Sequence, residues 1–168
     1  MPRDRSYQPG FVVESLTRDQ IGPSFVILRL MHPWIEQRCW QNFAQRSLTA
    51  NPDHRGIITI RRDGGRFPSG LACYRRESDA EIGRLLTVHP MAAVDMVDAT
   101  PQLVRLTTGL VQIARRTGCG ALRLVVAEAG AAYTSFNRME FNQMGQVGQV
   151  EQLGPVAATG HEYTLFLK

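Results

Sequence analysis

Lysine is almost missing from this sequence: among 19 basic residues, Lys168 is the only one. The positive charge therefore rests on guanidinium groups, a bias that reads as bacterial-like genome composition, and the net charge of +4 is mild. The arginines are scattered in pairs such as Arg61-Arg62, Arg75-Arg76 and Arg115-Arg116. They are not gathered into one basic face with aromatic platforms, which argues against nucleic acid as a partner. An anionic small ligand stays compatible with the charge. Long apolar runs are also missing; none approaches the roughly 18 residues of a membrane span. The basic start Met1-Pro2-Arg3-Asp4-Arg5-Ser6 is followed by no apolar signal core, so a cytoplasmic protein is expected. Cysteine is scarce. Cys39, Cys73 and Cys119 lie far apart with no C-x-x-C pair, which leaves neither a disulfide framework nor a zinc cluster and predicts reduced, buried thiols and no metal site.

What is present is an ordinary globular composition, 43% apolar over 168 residues, enough for one domain with a substantial core. Phe11 to Leu16 reads as a short strand. Thr17 and Gln20 are spaced as a capping box before a helix carrying Ile21, Phe25 and Leu28, although Pro23, comfortable only in a first turn, leaves a start near Ser24 as the alternative. His32-Pro33 breaks that helix, and Pro33 suits the first turn of a second one with Ile35, Cys39, Phe43 and Leu48 on its apolar face. Gly56 to Arg61 and Gly70 to Arg75 form a hairpin around Asp63-Gly64-Gly65. A further strand runs from about Glu81 to Val88 and stops at Pro90. Thr100-Pro101 supplies an N-cap hydroxyl and a first-turn proline for a helix with Leu103, Leu106, Leu110, Ile113 and Ala114 on one face, ended by Gly118 and Gly120. Ala121 to Val126 is a buried strand, Ala131 to Met139 a short helix, and Gly160 to Leu167 a last strand.

The order β, α, α, β-hairpin, β, α, β, α, β predicts an α/β (α+β) domain with a mixed, mostly antiparallel sheet and helices on both faces. Glu81-Ile82-Gly83-Arg84-Leu85-Leu86-Thr87-Val88-His89-Pro90 is similar to the acidic-to-V-x-P run on the central strand of the GNAT acyltransferases. It is about one residue longer, an excess that a β-bulge absorbs. Ala121 to Val126 followed by Phe136-Asn137-Arg138-Met139-Glu140-Phe141 resembles the strand, helix and closing motif of the same superfamily. The resemblance covers about residues 11–167 of a single domain, 1–168. It implies a central strand that splays from its neighbour and offers backbone at Leu86, Thr87 and Val88 to the arm of an acyl-coenzyme A co-substrate, with no tightly bound cofactor. It implies also a glycine-rich loop and helix N-terminus that hold the pyrophosphate. Here that loop, His89 to Pro101, contains no glycine and two aspartates, Asp95 and Asp98, each repelling a phosphate.

Candidate site residues follow from the resemblance. Glu81 is a candidate general base, or a strand-edge charge paired with Arg84 or Arg75. Tyr133 is the candidate acid for the departing thiolate, because the family's usual tyrosine position falls on Phe136 and its coenzyme-contacting asparagine on Ala129. Thr100 is a candidate phosphate ligand, or simply a cap. His89 has the right chemistry for acid–base work at the strand end; His32, His54 and His161 are weaker candidates. Trp34 and Trp40 either shape the acceptor side or simply pack, and packing is the expectation. The implied activity is transfer of an acyl group from acyl-coenzyme A to a small-molecule amine or a peptide. One alternative is a non-catalytic binding module that has lost acetyl-coenzyme A. Another is an enzyme fed by acyl carrier protein, as in the similar autoinducer synthases, to which the Glu81–Arg84 spacing is loosely similar. A homodimer through a sheet edge or the last strand is compatible with the pattern.

Overall fold

The structure, a computed structural model, describes residues 10–125, 153–159 and 162–167. The chain order is β1 (Phe11–Ser15), a 3-10 turn (Arg18–Gln20), α1 (Ile21–Met31), α2 (Gln37–Leu48), β2 (Arg55–Arg62), β3 (Gly70–Asp79), β4 (Gly83–Ala93), α3 (Thr100–Arg116), β5 (Ala121–Val125), β6 (Leu153–Thr159) and β7 (Glu162–Leu167). They form one seven-stranded sheet in the order β1-β2-β3-β4-β5-β7-β6. Neighbours are antiparallel except β4 and β5, whose parallel pairing needs a crossover that α3 provides.

Alternation along the strands sends two apolar sets to opposite faces. Ile58, Ile60, Ala72, Leu86, Val88 and Leu122 meet Leu103, Leu106 and Leu110 of α3. Ile57, Leu71, Cys73 and Ala92 meet Phe25 and Leu28 of α1 and Trp40 and Ala44 of α2. Helices therefore cover both faces. The β2–β3 turn has Gly64 at φ 74°, a left-handed position that glycine occupies without strain.

Several local expectations are corrected. Pro33 lies in the link after α1, and α2 begins four residues later at Gln37. Its buried face is Trp40 and Ala44, one step round from the predicted Cys39 and Phe43, so Cys39 is an exposed thiol, unlike Cys73 and Cys119. The N-cap of α3 is Ala99, with Thr100 as the first helical residue. β4 does not stop at Pro90. Ala72 pairs with Met91 and Tyr74 with Val88, so Cys73 faces two residues, His89 and Pro90, and the strand continues to Ala93. This is the bulge that the extra residue of the run calls for, and a bulge spares proline a ladder hydrogen bond. β6, unannounced in the sequence because Gly154 and Pro155 interrupt its apolar residues, lies at the sheet edge. The last strand β7 is interior, between β5 and β6, so the sheet edges are β1 and β6. The expected helix at 131–139 lies outside the described residues.

Candidate functional site

Among the described residues, one parallel pair is present. Leu85, Leu86, Thr87 and Val88 pair with Ala121, Leu122, Arg123 and Leu124. β5 is described to Val125, and β4 runs on to Ala93. Beyond Val88, β4 has no ladder partner on this side among the described residues. Leu86, Thr87 and Val88 are thus inside the paired stretch. Leu86 and Val88 are fully buried toward α3, and the Thr87 hydroxyl donates to Glu77 Oε2 at 2.8 Å. Among the described residues, His89 is the first position of β4 past its last β5 partner.

Two histidines, each followed by proline, meet here. Proline disfavours helical backbone in the residue before it, so α1 closes at His32, its C-cap. The His32 ring is 4% exposed and stands edge-on to Trp34 at 5.3 Å and to His89 at 5.8 Å between centroids. Burial, and secondarily the neighbouring His89, hold the His32 imidazole below its ordinary pKa. His89 is exposed, and its Nδ1 lies 3.4 Å from the carbonyl oxygen of Val125. The packing expectation holds for Trp40, whose indole N–H donates to Ile21 O at 2.9 Å. It fails for Trp34, which is 64% exposed beside His32.

Glu81 is not on the strand. It sits in the β3–β4 turn, where the N–H groups of Glu81 and Ile82 donate to Asp79 Oδ1 at 2.9 and 3.1 Å, and Gly83 takes φ 83°. The strand from Gly83 to Val88 then separates it from His89 by roughly 17 Å. A general base must reach the proton it removes, so Glu81 is not brought to this site. Arg75 pairs with Glu77 instead. Tyr133, Phe136, Ala129 and His161 lie outside the described residues.

The N-terminus of α3 has little to offer an anion. The Thr100 N–H donates to Asp98 Oδ1 at 2.9 Å. Pro101 has no N–H. The N–H groups of Gln102 and Leu103 both reach Ala99 O at 3.1 Å. Asp95 accepts from Val97 N–H at 3.0 Å, Arg62 at 2.9 Å and the Gln102 amide at 3.1 Å. The first-turn donors that normally face a phosphate are absent or bound to the chain itself, and Thr100 stands among them. Among the described residues, no group of three or more His, Cys, Asp and Glu gathers that could hold a metal ion.

These contacts set an acid limit. Backbone N–H donors, with Arg62 and Arg123 after them, hold the Asp95 and Asp79 carboxyls below 3.8, and Arg61 holds Glu14 below 4.5. A carboxyl depressed on folding stabilises above its unfolded value and loses that contribution as pH falls through the folded one. His32, also depressed, is stabilising above its unfolded value of 6.5 and loses that contribution as pH falls below it. Urea midpoints are therefore expected to drop in two stages, gently below about pH 6.5 and steeply below about pH 4. His32→Phe is expected to remove the first stage alone.

No model of a protein family matches the sequence, and comparison with curated proteins gives no match. Solved structures do match. An aminoglycoside N-acetyltransferase in complex with coenzyme A superposes with a TM-score of 0.63 at 11% identity, over 83% of this chain and 90% of that one. The chain has the GNAT fold. A GNAT-family acetyltransferase from Streptococcus pneumoniae gives 0.58 at 9% identity over 95% and 98% of the two chains. Glucosamine-6-phosphate N-acetyltransferase from Arabidopsis thaliana gives 0.58 at 9% over 89% and 97%. Within the GNAT fold, the run Glu81 to Pro90 implies a central splay, and among the described residues the ladder between β4 and β5 reaches no further than Val88 and Leu124.

Proposed function

We propose that this chain is an N-acyltransferase that moves an acyl group from a thioester to an amine. The observation that supports it is that, among the described residues, the ladder between β4 and β5 runs no further than Val88 while β4 continues to Ala93, which leaves a strand edge able to hydrogen-bond an extended amide-bearing arm. The similar aminoglycoside N-acetyltransferase holds coenzyme A, and acyl-coenzyme A is the donor we propose. The acceptor amine, on a small molecule or a peptide, enters from the side of α1 and α2, where Trp34 is exposed. Positioning of both reactants supplies much of the rate. In this reading the Tyr133 hydroxyl protonates the departing thiolate.

The self-bonded N-terminus of α3 separates this reading from an ordinary coenzyme A enzyme. With its first-turn donors taken up and two carboxylates nearby, the diphosphate gains little there. Acyl-pantetheine thioesters are therefore expected to be used within about tenfold of acyl-coenzyme A in kcat/KM, a difference of ~1.4 kcal/mol. The test is thiol release from a panel of acyl-coenzyme A and acyl-pantetheine donors with a panel of amines. Glu81→Ala is expected to leave the rate unchanged, because the β3–β4 turn is remote from the splay. The same α3 feature favours a second reading, a GNAT-fold module that binds without catalysis. No thiol release from any donor, together with no rise in thermal midpoint at saturating coenzyme A, would establish it. Acyl carrier protein as the donor is tested in the same panel, by transfer from an acylated carrier at low salt.

A further inference from the structure

At the end of the paired stretch the structure brings together two histidines that are separate candidates in the sequence. His89 is the first residue of β4 past its last β5 partner, and the bulge at His89 and Pro90 re-aims the strand there. Its ring is exposed and meets His32 on the α1 side of the sheet. The Nδ1 atom faces the Val125 carbonyl at 3.4 Å. A carbonyl only accepts, so this contact favours the proton on Nδ1 and leaves the lone pair on Nε2. Among the described residues, no hydrogen bond reaches that nitrogen. From α1 comes His32 and from β3 the buried Cys73 across the bulge. On β4 itself Thr87 is turned to Glu77, and on β5 Arg123 is bound to Asp79 at 3.1 Å. Among the described residues, no carboxylate or guanidinium hydrogen-bonds to either imidazole.

We propose that His89 Nε2 is the base of the reaction and that His32 is a positioning residue that holds the His89 ring edge-on at the mouth of the splay. This rests on the N-acyltransferase reading. The amine lone pair forms the new N–C bond to the thioester carbonyl. The C–S bond breaks with its electron pair leaving on sulfur, and the ammonium proton passes to Nε2. The thiolate takes its proton from the Tyr133 hydroxyl, as in that reading, the imidazolium gives its proton to solvent, and the tyrosinate is reprotonated from solvent.

The test compares His89→Ala, His89→Gln, His32→Ala and His32→Phe with the unaltered chain, using the thioester and amine that it turns over best. His89→Ala and His89→Gln are expected to lower kcat by about 100-fold or more with donor KM little changed, and to abolish the acid limb of the pH–rate profile. His32→Ala is expected to lower kcat less and to shift that limb. His32→Phe, which keeps an edge-on ring, restores the rate, an outcome that a purely structural loss does not produce. An unaltered chain that is active while both His89 variants keep its rate and its profile overturns the assignment and leaves the acyltransferase reading standing. An unaltered chain inert toward every donor and amine fails that reading, and the base goes with it. If the variants do not fold, nitrogen NMR of the histidine rings above pH 8 decides: the Nδ1–H tautomer of His89 is expected, and the Nε2–H tautomer refutes the proposal.

Discussion

Replacing Trp40 with alanine is expected to lower the unfolding free energy by about 3–5 kcal/mol, a fall in midpoint temperature of roughly 6–20 °C for a chain of this size. Trp40 is 3% exposed at the end of the first turn of α2. It fills the space between α2, α1 and the sheet, and its indole N–H ties α2 to the first carbonyl of α1 at 2.9 Å. Alanine removes the ring and the hydrogen bond together and leaves a cavity at the joint of two helices. Trp40→Phe restores most of the volume but not the bond, and its expected cost is about 1–1.5 kcal/mol plus a smaller packing loss. Urea denaturation checks both: the midpoint should move with little change in slope. A Trp40→Ala cost under 1 kcal/mol would mean that α2 is held from elsewhere.

The second large effect concerns Leu86. Its side chain is fully buried in the core beneath α3, while its backbone lies between Arg76 of β3 and Leu122 of β5. Leu86→Ala is expected to cost about 2–5 kcal/mol. The resemblance assigns Leu86 to the thioester arm through its backbone alone, so the folded variant, assayed well below its midpoint, is expected to keep the donor KM. A donor KM raised tenfold at full folding would place the Leu86 side chain, rather than the strand edge after it, in contact with the donor. The two substitutions are complementary, since Trp40 loosens the layer under α1 and α2 and Leu86 the layer under α3.

Much of this architecture is legible in the residue order because local and tertiary preferences agree. The spacing of Leu103, Leu106 and Leu110 gives α3 its buried face. Asp63-Gly64-Gly65 closes the β2–β3 hairpin, and one surplus residue before Pro90 foretells the bulge. The errors lie where neighbours decide. The apolar face of α2 reads equally well as Cys39 and Phe43 or as Trp40 and Ala44, and only contact with α1 chooses. Thr100 has the right hydroxyl for a cap, but Asp98 reaches the Thr100 N–H from two residues upstream and Ala99 takes the N-cap. Glu81 resembles the start of a strand until the Asp79 carboxylate collects two backbone N–H groups and bends the chain. The site suffers most, because His32 and His89 are far apart in sequence: His89 reads as a single acid–base candidate at a strand end and His32 as a weaker one, and nothing in the order of residues pairs them. The trace that they share is the proline after each, which ends a helix in one case and bulges a strand in the other.

The placement of the three thiols bears on how such chemistry is measured. Cys73 is buried and its thiol is pushed far up by burial, Cys119 is buried beside Thr117, and Cys39 faces solvent on α2. Reagents that count liberated sulfhydryls will react at once with Cys39 in the folded protein, one equivalent per chain, before any donor is consumed. Cys39→Ser removes that background without touching the core. Left in place, the same atom accepts a single maleimide dye next to Trp40, an optical reporter for the packing of α2 on α1.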